Sequence, residues 1–177
     1  MWFLIVFVLA VLIWIVVTMN SFRKKEIKTL ETRSGIEVAL VKRHEMLTKL
    51  ADTARVYADH EEAVFQEVIS LRKDMSLPEM QRAEEAMDRL AHAISLTAEN
   101  YPELRSSEVF VELQRGIRDA EEHLQAARRL YNSAVSSYNT AIAVFPAKLL
   151  ARGRDAKPFF EADPGKIEDV ELKRQGR

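Results

Sequence analysis

Cysteine is absent from this chain of 177 residues, which excludes disulfides, thiol nucleophiles and metal sites built on thiolates. The redox compartment therefore cannot be read from the sequence. Glycine and proline are scarce, with five of each, and this scarcity favours long uninterrupted helices. The formal net charge is only −1, so no field of one sign over the whole molecule favours nucleic acid or another strongly charged partner.

The chain begins with a long stretch without charge, Met1–Met19, and its first charged residue is Arg23. At ~1.5 Å per residue, a helix of this length spans about 30 Å, the thickness of the hydrocarbon core of a bilayer. Two other interpretations compete. A cleaved signal peptide would carry a basic start and a cleavage site of small residues, and both are missing. A buried core helix would be shorter and amphipathic. The sequence therefore predicts an uncleaved transmembrane anchor over residues 1–22, with the lipid bilayer as its partner.

Basic residues follow this apolar run directly: Arg23, Lys24, Lys25 and Lys28, opposed only by Glu26. Because positive charge is retained on the cytoplasmic side, we expect the amino terminus outside and the body in the cytoplasm. The simplest role for these residues is orientation, with their side chains reaching the lipid headgroups. Specific recognition of anionic lipid is the alternative, although it usually involves a larger cluster.

Residues 23–150 have the pattern of a helical body. Apolar residues at steps of four and three predict a first helix that continues from the anchor, with any break near Asp59. Its stripe comprises Leu50, Ala54, Tyr57, Glu61, Val64, Val68 and Leu71. Ser76-Leu77-Pro78-Glu79 predicts a new helix, because a serine cap and a glutamate three residues later form a capping box around a first-turn proline. Pro102 ends this helix, whose stripe comprises Met80, Ala83, Met87, Leu90, Ile94 and Thr97.

The last helix is predicted from a serine cap at Ser106 or Ser107 to Pro146. Large residues recur along it at steps of seven, as in a coiled coil: Phe110, Ile117, Leu124, Tyr131, Tyr138 and Phe145. The positions three residues further on are mostly alanine, which lets neighbouring backbones approach closely. Short linkers make neighbouring helices antiparallel. We therefore predict an all-α protein, with an N-terminal transmembrane helix followed by an antiparallel bundle of three to four long helices.

The periodicity ends after this helix. Residues 151–177 contain Gly153, Pro158, Pro164 and Gly165 among charges of both signs. The sequence predicts a flexible C-terminal tail here. Its only pair of adjacent large apolar residues is Phe159-Phe160, and we expect the tail to dock back on the bundle through this pair.

The stretch from Ala98 to Pro146 resembles the LemA family of bacterial membrane-anchored proteins. The motifs that carry the resemblance are Ala98-Glu99-Asn100-Tyr101-Pro102, Leu113-Gln114, Ala127-Arg128-Arg129, Tyr131-Asn132, Tyr138-Asn139 and Phe145-Pro146. The resemblance implies a short membrane helix with an outside amino terminus, a helical bundle, and no established enzyme activity. The family often has Leu-Ile-Pro-Asn-Leu in its first helix, where this chain has Met46-Leu47-Thr48-Lys49-Leu50. We therefore expect a straighter first helix here.

Several polar residues lie on or beside the apolar stripes. Glu61 interrupts the first stripe, and because a lone buried carboxylate is costly, it predicts an ion pair with Arg43, Arg128 or Arg129 that fixes helix register. The alternative is a carboxylate in a polar ligand pocket. Glu121 and Arg128 share one flank of the last helix, and the same alternatives apply to them.

Two asparagines lie seven residues apart beside the tyrosines of the last helix. We expect Asn132 and Asn139 to form interhelical hydrogen bonds that fix pairing. The alternative is a binding groove lined by Tyr131, Tyr138 and both asparagines.

The sequence contains none of the motifs for catalysis or cofactor binding that we searched for. None of the four histidines has a glutamate three residues before it, as di-iron bundles require, and no His-Glu-x-x-His, phosphate loop or Gly-x-Ser-x-Gly occurs. We predict no enzyme activity, no metal, no cofactor and no nucleic-acid partner. The favoured function is structural scaffolding or protein interaction at the membrane, with protein partners or self-association. The alternative is a module that binds a ligand or peptide in a polar groove of the bundle.

Overall fold

A computed structural model describes residues 1–57, 71–72 and 74–161. Within that part the chain forms four α-helices and no strand. They are α1 (Trp2–Tyr57), α2 (Leu77–Asn100), α3 (Pro102–Ser106) and α4 (Glu108–Ala143), and a short 3-10 turn (Ala147–Leu150) follows. The predicted all-α class with an N-terminal apolar helix is confirmed.

Helix α1 is 56 residues long, or about 84 Å at 1.5 Å per residue. It is the one helix of the described chain that is long and apolar enough to cross a membrane, and none of its most apolar stretch is buried inside the protein. The helix runs without interruption from the apolar run into the body and through Met46–Leu50, as predicted. Asp59, the place given for any break in the first helix, and Glu61 lie outside the described residues.

Helix α2 begins where the capping motif predicts. The backbone N–H and the hydroxyl of Ser76 both donate to Glu79 Oε2, at 2.8 Å and 2.7 Å, and Pro78 lies in the first turn. The six residues of the predicted stripe are all buried. The helix ends at Asn100, before the proline expected to stop it.

Helix α4 is capped by Ser107, whose hydroxyl accepts a hydrogen bond from the Phe110 N–H at 3.2 Å. Of the predicted seam, Phe110, Leu124, Tyr131 and Tyr138 are buried. Phe145 is not, since 81% of its surface is exposed. The expectation for Phe145 is wrong because α4 ends at Ala143 and the helical register does not extend to it.

The described chain divides into two compact units. The first, here called the anchor unit, comprises Met1–Ser34 and Arg128–Phe160. The second, called the three-helix unit after its long helices α1, α2 and α4, comprises the described residues of 35–127 together with Glu161.

Within the three-helix unit, α1 and α4 are antiparallel. Lys42 Nζ lies 3.3 Å from His123 Nδ1. Further along α1, Met46 faces Gly116, where an added Cβ would lie 3.2 Å from the Met46 sulfur. Residue numbers rise along α1 from Lys42 to Met46 while those of their partners on α4 fall from His123 to Gly116, so the helices run in opposite directions. Gly116, which has no Cβ, also allows the two helices to approach closely. The buried residues of this unit include Leu40, Leu47, Met87, Ile94 and Leu124.

Candidate functional site

The polar residues of α4 in the anchor unit hold the C-terminal segment, residues 154–160. Asn132 binds one residue of this segment twice: its Nδ2 donates to the Phe160 carbonyl at 2.9 Å, and its Oδ1 accepts from the Phe160 N–H at 2.8 Å. Asn139 does the same with Lys157, at 2.9 Å and 2.8 Å. Each side-chain amide thus satisfies both backbone groups of a single residue.

The spacing of the two asparagines matches the spacing of their targets. Seven residues of helix rise about 10.5 Å, and the three steps from Lys157 to Phe160 cover about 10 Å in an extended chain. Asn132 and Asn139 therefore suit a segment that lies extended and antiparallel to α4.

A tyrosine hydroxyl adds a fifth hydrogen bond. Tyr131 donates to the Pro158 carbonyl at 3.0 Å, and its side chain is buried, with 4% exposed. Burial raises the pKa of Tyr131, against the opposing effect of the positive charge of Arg33. The phenol therefore stays protonated, and so remains a donor, across the physiological range.

Cations cover two aromatic rings at the same surface. The Arg128 guanidinium lies 4.7 Å from the centroid of the Phe160 ring, and Lys157 Nζ lies 5.3 Å from the Tyr138 centroid. Such contacts contribute roughly 0.5–1 kcal/mol each at exposed sites and more when desolvated. Phe160 is buried, whereas Phe159 is 48% exposed, so one phenylalanine of the expected apolar pair docks.

Arg154 joins the segment to α1. Its Nη1 lies 3.3 Å from Glu26 Oε2, and its guanidinium lies 5.4 Å from the Phe22 centroid. Partial burial by itself would raise the pKa of Glu26. The hydrogen bond from Arg23 and the positive charges of Lys157, Arg23 and Arg154 outweigh it, and the pKa of Glu26 is lowered. The carboxylate is therefore held ionised between the helix and the segment.

Five of the residues singled out in the sequence thus form one surface on α4, here called the clasp: Arg128, Tyr131, Asn132, Tyr138 and Asn139. The asparagines bind the backbone of the C-terminal segment, not a second helix as expected. The expectation of a flexible tail from residue 151 does not describe residues 154–160, because hydrogen bonds and buried rings hold them. The rest of the predicted tail, residues 162–177, lies outside the described residues.

The other candidate residues belong to a charged cluster in the three-helix unit. The Arg43 side chain is only 5% exposed, and it forms ion pairs with Asp88 through Nη2 and with Glu121 through Nη1, the latter at 3.2 Å. Glu61, the partner expected from the sequence, lies outside the described residues. Glu121 is therefore paired with Arg43, whereas Arg128 stacks on Phe160.

The sequence did not single out Asp88. It predicted that the tail docks through Phe159-Phe160 but did not assign that docking to the clasp. The position of Asp88 directly after the buried Met87 was the available signal, because such a position borders the core. Among the described residues, no group of three His, Cys, Asp or Glu side chains lies close enough to hold a metal ion.

Comparison with known proteins gives two findings. The model of the LemA family matches residues 32–173, a range that contains the clasp, the C-terminal segment and the Arg43 cluster and begins after the apolar run. The chain is also similar to "Protein LemA" of Metamycoplasma hominis, with 22% identity over 158 residues, which cover 86% of this chain and 72% of that protein.

Proposed function

We propose that this chain, which belongs to the LemA family, is a non-enzymatic scaffold or protein-interaction component of the bacterial cytoplasmic membrane. Its mechanism is tethering. A single anchor confines the helical body to two dimensions and so raises its effective concentration towards partners in the same membrane. Those partners are proteins or further copies of the chain.

The continuity of α1 is the observation that carries this proposal. The exposed apolar run and the turns that pack on α4 belong to one uninterrupted helix. Phe22 lies three residues after Met19, the end of the apolar run, and is already buried against Tyr138, Ile142 and Ala151. The anchor therefore passes into a packed body without a linker, which favours a protein whose body is held at the membrane surface.

The clasp also supports a structural role. Its asparagine and tyrosine groups bind backbone amides and carbonyls of the chain itself, and its Arg128 covers a buried ring. These polar groups thus order the C-terminal segment. The basic flank after the apolar run supports an outside amino terminus and a cytoplasmic body.

Replacing the anchor tests the tethering mechanism. In a strain lacking the protein, we expect a chain without residues 1–20 to fail to complement, because it is no longer confined to the membrane. A chain with residues 1–20 replaced by an unrelated single-pass helix of the same orientation should complement. Both variants keep Phe22, because it is a core residue. Full complementation by the chain without an anchor would contradict tethering.

A second function, a peptide-binding module, is favoured by the chemistry of the clasp. Asn132 and Asn139 recognise backbone, so an extended segment of a partner with an aromatic residue for Arg128 fits the same surface. A chain ending at Ala151 should bind a fluorescent peptide of residues 152–161. The N132A/N139A variant of that chain should bind it at least about tenfold more weakly, since four hydrogen bonds are lost. Equal binding by both chains would refute the module.

A further inference from the structure

The turn that follows α4 exposes three apolar side chains. Val144, Phe145 and Leu149 have 48%, 81% and 69% of their surface exposed. Their neighbours Ile142 and Ala151 are buried in the core of the anchor unit. Exposed aromatic and aliphatic residues grouped on one short turn form an apolar patch, and such patches mark protein or membrane contacts.

This turn lies beside the place where α1 leaves its apolar run. Ala147 and Leu150 pack against the core cluster that contains Phe22, and Phe22 is about 4.5 Å along the helix axis from Met19. Within the anchor unit α4 is antiparallel to α1, since Lys25 Nζ donates to Ser137 Oγ at 2.6 Å while Phe22 packs further along α4. Residues after Ile142 therefore lead towards the apolar run.

A cleft at the same end of the unit joins the two segments. Its volume is about 570 Å³, and Met19, Arg23, Leu150 and Arg152 are among its lining residues. Met19 ends the apolar run and lies three residues before the end of the predicted anchor, residues 1–22. The cleft therefore opens at the depth expected for lipid headgroups.

The fold doubles the positive charge at this end. Residues 23–28 carry four basic side chains and one acidic side chain, and residues 148–157, which pack beside them, carry four basic and one acidic. The eight basic residues are Arg23, Lys24, Lys25, Lys28, Lys148, Arg152, Arg154 and Lys157. The local balance is strongly positive although the whole chain has a net charge of −1. Clusters of four to eight basic residues next to a membrane helix bind anionic lipid.

We propose that the turn 144–150 and the cations around it form a membrane-docking surface that binds anionic phospholipids. Val144, Phe145 and Leu149 enter the boundary between headgroups and acyl chains, while Arg23, Lys148 and Arg152 contact lipid phosphates. An apolar face rimmed by basic residues is the chemistry of interfacial membrane contact. The surface rests on the proposed anchor, and it gives the anchor unit a second contact with the same leaflet.

Single cysteines test this surface, because the chain has none of its own. The full chain is reconstituted in lipid nanodiscs of phosphatidylcholine alone or with about 30% phosphatidylglycerol, and a fluorophore is attached at Leu149→Cys. Its quenching by spin-labelled lipid and by aqueous iodide is measured. Leu130→Cys is the matched control: Leu130 is 63% exposed on α4 and lies about 18 Å before Ile142 along the helix.

We expect the label at position 149 to be quenched by lipid at least about threefold more in anionic discs than in neutral ones. The label at position 130 should be quenched by iodide alone. Quenching at 149 by iodide alone, or equal lipid quenching in both compositions, overturns the proposal. A label at Leu9→Cys separates the docking surface from the anchor. If lipid quenches the label at position 9 but not the label at position 149, the docking surface alone is refuted. If lipid does not quench the label at position 9, the anchor is refuted and the docking surface with it.

Substitutions then test the chemistry, with the label kept at position 149. K148E/R152E should lower lipid quenching in anionic discs to its level in neutral discs, and the conservative K148R/R152K should preserve it. Phe145→Ser should lower it in both compositions, because an apolar contact is lost. All of these positions are exposed, so unchanged thermal unfolding is expected and checks the fold. A charge-reversed chain that is quenched like the original overturns the assignment to anionic lipid.

Discussion

Asn132 and Asn139 each present one donor and one acceptor, the same pair of groups that an adjacent strand would present in a sheet. Aspartate of similar size would lack the donor. The Phe160 N–H belongs to a buried residue and needs a hydrogen-bond acceptor. The described chain contains no β-strand that could supply one. The side-chain amides therefore allow an extended segment to lie on a helix without leaving its backbone groups unpaired.

Replacing these asparagines tests the clasp at the scale of single residues. Asn132→Ala and Asn139→Ala each remove two hydrogen bonds, and at 0.5–1.5 kcal/mol per bond we expect a loss of about 1–3 kcal/mol each in the free energy of unfolding. The amides of Lys157 and Phe160 should also exchange faster with deuterium. Asn100→Ala, at the exposed end of α2, is the control and should change stability by less than about 0.5 kcal/mol. Losses below that value at both clasp positions would refute the assignment.

Arg43 is the most deeply buried charge of its cluster, and its two carboxylate partners are 31% and 29% exposed. Arg43→Ala should leave Asp88 and Glu121 without their shared cation and create a cavity. We expect a loss of order 3 kcal/mol by urea unfolding. Arg43→Lys keeps the charge but lacks the guanidinium whose two nitrogens bind separate carboxylates. We expect it to lower the free energy of unfolding by less than Arg43→Ala does. A change below about 1 kcal/mol in Arg43→Ala would show that the cluster does not stabilise the fold.

At the scale of elements, the start of α2 depends on the contact between Ser76 and Glu79. Hydrogen bonds from the hydroxyl and then from the N–H of Ser76 lower the pKa of Glu79 below its ordinary 4.5. A carboxyl whose pKa is lowered by folding stabilises the fold above its unfolded pKa, and this contribution is lost as the pH falls through the folded pKa.

Glu79→Gln should therefore unfold at a lower temperature than the original chain at pH 7. The gap between the two should narrow below about pH 4.5, where the carboxylate of the original chain becomes protonated. Glu85→Gln, at an exposed position of the same helix, gives the baseline. A gap that stays constant from pH 7 to pH 3 would show that ionisation of Glu79 does not act through the cap.

The helices were largely predictable from local signals. The capping box fixes the start of α2, proline fixes its end, and its stripe from Met80 to Thr97 predicts the buried face, because each of these signals lies within a few residues of its effect. The continuation of the first helix from the apolar run into the body was predicted for the same reason. The end of the buried seam of α4 was not predictable from local signals. Phe145 follows the seven-residue spacing of the seam, but it lies beyond the end of the helix at Ala143.

The clasp was predictable only in part. The spacing of Tyr131, Asn132, Tyr138 and Asn139 places them on one flank of α4, where interhelical hydrogen bonds were expected and a groove was the alternative. Their occupant was not predicted, because an extended segment without periodicity carries no signal for the surface on which it docks. The partners of Arg43 likewise depend on helix packing, which brings together residues 45 and 78 positions apart in the chain.

At the scale of the whole molecule, an apolar helix long enough to cross a membrane enters a packed body without a linker. The family match spans residues 32–173 and thus includes the C-terminal segment that the clasp holds. This segment brings basic residues back to the end of the anchor unit next to the apolar run, so the clasp and the proposed lipid contact are parts of one structural arrangement.

The topology of the protein in intact cells tests the central claim most directly. A single cysteine at Leu130, in bacterial spheroplasts carrying the full chain, is exposed to a maleimide that cannot cross the membrane. We predict that the protein stays in the membrane fraction after an alkaline carbonate wash, that the cysteine is unlabelled in intact spheroplasts, and that detergent makes it reactive. Labelling in intact spheroplasts would contradict the cytoplasmic body, and release by the carbonate wash would contradict the anchor.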